Sequence, residues 1–138
     1  MKIENLEELD TPCLILDKSL LEKNCQKARY KCRELNTILR PHVKTPKSIE
    51  VAKIALDNQE GPITVSTLNE AEYFANSGFK DILYAVCVIP KKLNRLNFIQ
   101  QKYSCVIRMV IDSVFIAQEI LNYSKLHNAN FEILIEID

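Results

Sequence analysis

Glycine is almost missing: Gly61 and Gly78 are the only two in 138 residues. A dinucleotide-binding G-x-G-x-x-G turn or a P-loop needs several glycines close together, so neither motif can be written anywhere in the chain. Tryptophan is absent and the other aromatics are scattered, which leaves no stacking platform for single-stranded nucleic acid. Net charge is missing too. The 18 basic side chains are matched by 18 acidic ones, so no global field draws the protein to nucleic acid or to an anionic membrane. No apolar run approaches the roughly 20 residues that a membrane span requires. The N-terminus, MKIENLEELD, carries acids where a secretory signal would have a basic and then an apolar stretch. The expectation is a cytoplasmic protein with no nucleic-acid and no membrane partner.

Cysteine is present but unpatterned. Cys13, Cys25, Cys32, Cys87 and Cys105 are odd in number and none forms a C-x-x-C pair. That excludes a full disulfide framework and a zinc knuckle. Cys25 and Cys32 fall on the stripe Leu21, Cys25, Ala28, Cys32, Leu35, which steps by four and three residues. The spacing predicts a helix whose apolar face buries both as small hydrophobes.

With 47% hydrophobic and 26% charged residues, the chain can bury a core, and its length suggests one domain. The pattern along it alternates. Cys13–Leu16 is a short apolar run closed by Asp17, which can cap a helix to about Leu35. Thr37 to Lys44 is extended, and Pro41 biases Arg40 away from helical angles. Thr45-Pro46 predicts the next helix start, a capping residue followed by proline in the first turn. That helix fades at Asp57-Asn58, and Gly61-Pro62 is a turn. Ile63–Ser66 reads as a strand. Thr67-Leu68-Asn69-Glu70 is a capping box opening a helix with Leu68, Ala71, Phe74 and Ala75 on its buried face. Gly78 is a left-handed terminator. Asp81–Val88 is a strand, Pro90 to about Gln101 a helix and Cys105–Ile111 a strand; Asp112-Ser113 starts a helix through about Ser124, and Phe131–Asp138 is the last strand.

Strands that alternate with single helices imply β/α units on a parallel sheet buried on both sides. An open doubly wound sheet and a closed barrel both fit, and the missing glycine-rich phosphate loop favours the barrel. The fold class is therefore α/β, with residues 1–138 forming the N-terminal portion of a parallel (β/α)8 TIM-type barrel. A complete barrel takes about 250 residues, so its second half is expected elsewhere.

Strand alternation puts Arg40, His42 and Lys44 on one face and Leu39, Pro41 and Val43 on the other. The inner face of a barrel strand turns polar near its carboxyl end, where active sites lie. Lys44 sits at that end. Two cations close by, Arg40 and His42, would lower its pKa, the condition for an amine to form a Schiff base. In the last strand, the isoleucines are expected to face helices, leaving Glu136 and Asp138 pointing into the barrel mouth.

Several segments together carry a resemblance. Leu9-Asp10-Thr11-Pro12-Cys13-Leu14-Ile15-Leu16-Asp17 resembles the opening of the D-threonine aldolase and D-serine dehydratase family. Arg40-Pro41-His42-Val43-Lys44-Thr45-Pro46-Lys47 resembles that family's R-P-H-x-K-T-H-K segment, with Pro46 standing where the family usually has histidine. Ile63–Thr67 with Glu70-Ala71-Glu72, and Ile135–Asp138, look like the strands and helix start around it. The resemblance implies an alanine-racemase-like barrel and a pyridoxal 5'-phosphate lyase acting on a small D-amino acid. It implies that Lys44 carries the cofactor, with His42 and Arg40 as neighbours. Full-length relatives would be homodimers, and a divalent metal would have its ligands outside this chain. Two other outcomes fit the same residues: a non-catalytic pyridoxal-phosphate carrier on the same barrel, and an inactive truncated remnant.

Overall fold

The computed structural model of the protein describes residues 5–137. Its helices are α1 (Lys18–Glu34), α2 (Ile49–Ala55), α3 (Leu68–Asn76), α4 (Leu93–Tyr103) and α5 (Val114–His127). Its strands are β1 (Ile63–Val65), β2 (Asp81–Cys87), β3 (Val106–Ile111) and β4 (Glu132–Ile135). The strands pair in parallel, in the order β1-β2-β3-β4. Each β/α unit therefore steps to the next position with no reversal. A doubly wound sheet would turn back at a switch point, so the order is that of a barrel wall.

A further extended segment flanks β1. Val43 N–H donates to Thr64 O and Thr64 N–H to Pro41 O, both at 2.9 Å, making a single parallel bridge between His42 and Thr64. Pro41 has no N–H to give, which keeps this pairing short.

Burial separates the two faces of the sheet. Ile63, Val65, Ile82, Tyr84, Ile107, Met109 and Ile111 are buried against α3, α4 and Ile120 of α5, packing on Ala71, Phe74, Leu96 and Ile99. Register puts Thr64, Leu83, Arg108 and Glu132 side by side on the opposite, inner face. Val43 is buried while His42 and Lys44 are exposed, so the expected alternation holds there. The caps also follow the sequence. Asp17 accepts from Leu20 N–H, and Ser113 from Ile116 N–H. Gly78 follows α3 with φ +98°.

Two expectations need correction. Thr45-Pro46 does not open α2. Lys44–Pro46 form a turn closed by Lys47 N–H to Val43 O at 3.0 Å, Lys47 has the left-handed φ of 44°, and Ser48 is the cap, accepting from Val51 N–H at 3.2 Å. The Cys25–Cys32 stripe is half-buried rather than buried, because α1 packs chiefly on the small α2, and no residue of α1 is buried. Ahead of α1, the short apolar run Cys13–Leu16 pairs with no strand among the described residues, and Leu14 is fully exposed. In β4, register groups Ile133 and Ile135 with Met109 and Ile111, on the helix side. No helix covers them among the described residues, so both are exposed. Glu136 is exposed beside Cys87 on the inner face, where its charge helps raise the thiol's pKa after burial and Asp112. Asp138 lies outside the described residues.

Candidate active site

The segment 40–47 enters the inner face at its amino end and leaves at its carboxyl end. Lys44 lies four residue steps beyond Arg40, about 13 Å along an extended strand. The two ends differ in what they meet.

At the amino end, Arg40 makes a two-pronged ion pair with Asp81, at 2.7 and 3.1 Å, and donates to Ile63 O at 3.3 Å. Arg108 binds the same Asp81 and forms an ion pair through Nε with Glu132 at 2.8 Å. Signs alternate along this chain and cancel. Burial pushes the Asp81 carboxyl up, but the hydrogen bonds and charges of Arg40 and then Arg108 outweigh it and hold its pKa below the usual carboxylate range. Gly61 packs on this acid. It has φ +121°, and a Cβ there would meet Asp81 O at 2.9 Å.

At the carboxyl end, the His42 ring is held from both sides. Lys44 N–H donates to Nδ1 at 3.3 Å, and Nε2 lies 3.3 Å from Ser66 Oγ. Desolvation, and then the charge of Lys44, lower the His42 pKa against a smaller opposing pull from Glu70. The imidazole is therefore neutral at neutral pH. Glu70, buried at the start of α3, accepts from Ser66 N–H at 2.8 Å and pairs with Lys47 at 3.3 Å. Its backbone N–H is capped by Thr67 Oγ1 at 3.1 Å. The capping box is present, with the carboxylate reaching back to Ser66. Burial acts to raise the Glu70 pKa, and the Ser66 N–H and Lys47 bring it below the ordinary value.

Lys44 projects from the turn after this strand, exposed and with no ion-pair partner among the described residues. Lys47 is engaged by Glu70, Lys92 by the Tyr84 hydroxyl, and Lys102 by Glu72. The two cations expected to crowd Lys44 do not do so. Arg40 is neutralised by Asp81 at the far end, and His42 is uncharged. Beyond Ser66 opens a cleft of about 420 Å³, walled by Thr67, Leu68 and Asn69 on one side and by Lys91, Lys92 and Arg95 on the other. Among the described residues, no group of three or more His, Cys, Asp or Glu side chains is placed to hold a metal ion. No helix there is long and apolar enough to cross a membrane.

This arrangement, an amine at the carboxyl end of a barrel strand beside a fixed neutral imidazole, can be set against known proteins. No protein-family model matches the chain. It is 37% identical over 135 residues to D-threo-3-hydroxyaspartate dehydratase of Delftia sp. (strain HT23), covering 98% of this chain and 35% of that protein. An alanine-racemase-like protein from Idiomarina loihiensis superposes with a TM-score of 0.90 at 37% identity, over 95% of this chain and 35% of the other. D-threonine aldolase from Filomicrobium marinum superposes with a TM-score of 0.86 at 25% identity, over 96% and 36%. Over its described span, the chain belongs to the D-threonine aldolase and D-serine dehydratase family. It spans about a third of the length of the curated relatives it matches. The fold is alanine-racemase-like, as the family resemblance implied.

In this family member, the structure brings His42 and Lys44 together and sends Arg40 elsewhere. Ser66 and Glu70 join the site without having been singled out as site residues in the sequence. Glu70 was visible as a helix cap. Ser66 carried one usable signal, its place at the carboxyl end of a strand, where inner-face residues meet ligands.

Proposed function

We propose that the chain is the amine-bearing part of a pyridoxal-phosphate lyase acting on D-amino acids that carry a β-hydroxyl group. The observation that carries this reading is Lys44, an unpaired amine at the carboxyl end of an inner-face strand, beside a neutral His42. The residues fit the cofactor: a free amine can bond its aldehyde, while the lysines nearby on Glu70 and Tyr84 are already engaged. When bound, pyridoxal phosphate supplies an electron sink for the substrate's α-carbon.

The chain's own residues place that amine. The His42 ring accepts the Lys44 N–H and so fixes the start of the turn. Glu70 ties down both Ser66 and Lys47, which keeps the second lysine of the segment away from the first. Arg40 acts through the strand it anchors, a positioning residue rather than a cofactor contact. The substrate class follows from the relatives. 3-Hydroxyaspartate, D-serine and D-threonine share an α-amino acid with a β-hydroxyl. Dehydration would release a 2-oxo acid and ammonia, and retro-aldol cleavage would release glycine and an aldehyde or oxo acid.

The test is a spectral titration of the protein with pyridoxal phosphate, followed by product assay with D-serine, D-threonine and D-threo-3-hydroxyaspartate. Wild type should acquire a visible absorbance band and, with the rest of the barrel present, consume at least one of the three. Lys44→Ala should lose both. A band without turnover favours the carrier reading. A Lys44→Ala variant that keeps the wild-type band refutes the assignment.

A further inference from the structure

We infer that Ser66 is a hydrogen-bond donor to an anionic oxygen of the ligand seated at Lys44, with its hydroxyl oriented by a neutral, Nε2-protonated His42. The inference rests on the Lys44 reading for its ligand, but its geometry stands apart from it. A backbone N–H can only donate, so the contact from Lys44 N–H makes His42 Nδ1 a lone-pair acceptor. A proton on Nδ1 would face another proton and break that bond. The neutral ring then carries its hydrogen on Nε2, and the atom opposite Nε2 is Ser66 Oγ. Ser66 Oγ is the acceptor in that contact.

The hydroxyl's own hydrogen is thereby left over. The serine backbone N–H is spent on Glu70. Among the described residues, nothing accepts from Ser66 Oγ, and the side chain is half-buried at the edge of the cleft. A hydroxyl that accepts from an imidazole N–H donates more strongly in turn, since the two bonds polarise each other. The surroundings select the charge of its partner. Lys44 brings a positive charge. The Glu70 carboxylate is already committed to Lys47 and to Ser66 N–H. Ser66 also immediately precedes the Thr67 cap of α3, at the positive end of a nine-residue helix. An oxygen with negative charge is the acceptor this donor fits. Either the cofactor's phenolate or the substrate's carboxylate could supply it.

Ser66→Ala and Ser66→Thr, in the full chain, separate these cases. First, ¹⁵N spectra of the histidine rings, recorded with no cofactor, should show His42 neutral with its hydrogen on Nε2. A hydrogen on Nδ1 overturns the proposal. Second, Ser66→Ala is titrated with pyridoxal phosphate and then with D-serine. About tenfold weaker cofactor binding with a shifted absorbance maximum, restored by Ser66→Thr, assigns the cofactor's oxygen. Unchanged cofactor binding with about tenfold weaker D-serine binding, again restored by threonine, assigns the carboxylate. Wild-type affinities in Ser66→Ala for both, or no rescue by threonine in a variant that melts like wild type, overturn the proposal. A wild-type protein that takes up no pyridoxal phosphate at Lys44 would overturn the Lys44 reading and the acceptor assignment with it. The ¹⁵N result would still decide the His42–Ser66 pair.

Discussion

At the amino end of the inner face, Arg40, Asp81, Arg108 and Glu132 bind one another in a chain of alternating sign. At the carboxyl end of the same strands, His42 is neutral, Lys44 has no counter-ion among the described residues, and the Ser66 hydroxyl has a hydrogen to give. Both ends hold polar groups on a parallel sheet, yet one end uses up its charges internally and the other keeps them available. A saturated network fixes the positions of strands. An unsaturated one, held rigid from behind, can act on a ligand. The difference assigns structure to one end and chemistry to the other, although Arg40 and Lys44 stand only four residues apart.

The comparison can be broken most severely at Asp81. Asp81→Asn leaves Arg40 and Arg108 facing each other without their shared acid, and should cost about 2–3 kcal/mol in urea unfolding. The His42 ring signals should be unchanged, and a variant that loses the Nε2–H tautomer would show that the two ends are not separate. The gap between wild type and Asp81→Asn should depend on pH. The folded-state pKa of Asp81 is lowered, so its contribution is full above the unfolded value of about 4 and is lost as pH falls through the folded value. Gly61→Ala attacks the same end through the backbone. A left-handed φ and a 2.9 Å approach to Asp81 O should together cost about 2 kcal/mol, read as a shifted denaturation midpoint.

The carboxyl end offers smaller effects. Ser48→Ala removes the cap of the helix that follows Lys44 and should destabilise by about 1 kcal/mol. Thr45→Ala should stay within about 0.5 kcal/mol, as expected for an exposed residue with no cap to lose. The reverse order would restore Thr45 as the helix start. Smallest of all, the His42 ring should remain mostly neutral at pH about 6.5, where a free imidazole is half protonated. Since its folded pKa lies below that value, any linked stability is present above it and is lost as the pH falls. A ring that titrates at or above 6.5 by ¹⁵N chemical shift would contradict the desolvated site.

Much of this fold was legible in the sequence. The apolar runs at Ile63–Val65, Asp81–Cys87 and Val106–Ile111 and the caps Asp17, Thr67 and Ser113 are local signals, and local interactions settle them. The alternation of 40, 42 and 44 on one face was also legible. The start of α2 was not, because the left-handed backbone at Lys47 overrides a Thr-Pro signal that looks sound by itself. The true neighbour of Arg40 lies 41 residues along the chain. No local pattern marks such a pair, and proximity in sequence suggested Lys44 instead. Ser66 was hidden for the same reason, since its partner His42 is 24 residues away.

The most direct test of the division between the two ends is where pyridoxal phosphate attaches. The protein is mixed with sub-stoichiometric pyridoxal phosphate, reduced with borohydride, digested and mapped by mass spectrometry. The tag is predicted on Lys44, with Lys47, Lys91 and Lys92 unmodified. A tag spread over those lysines while Lys44 stays bare would contradict the account.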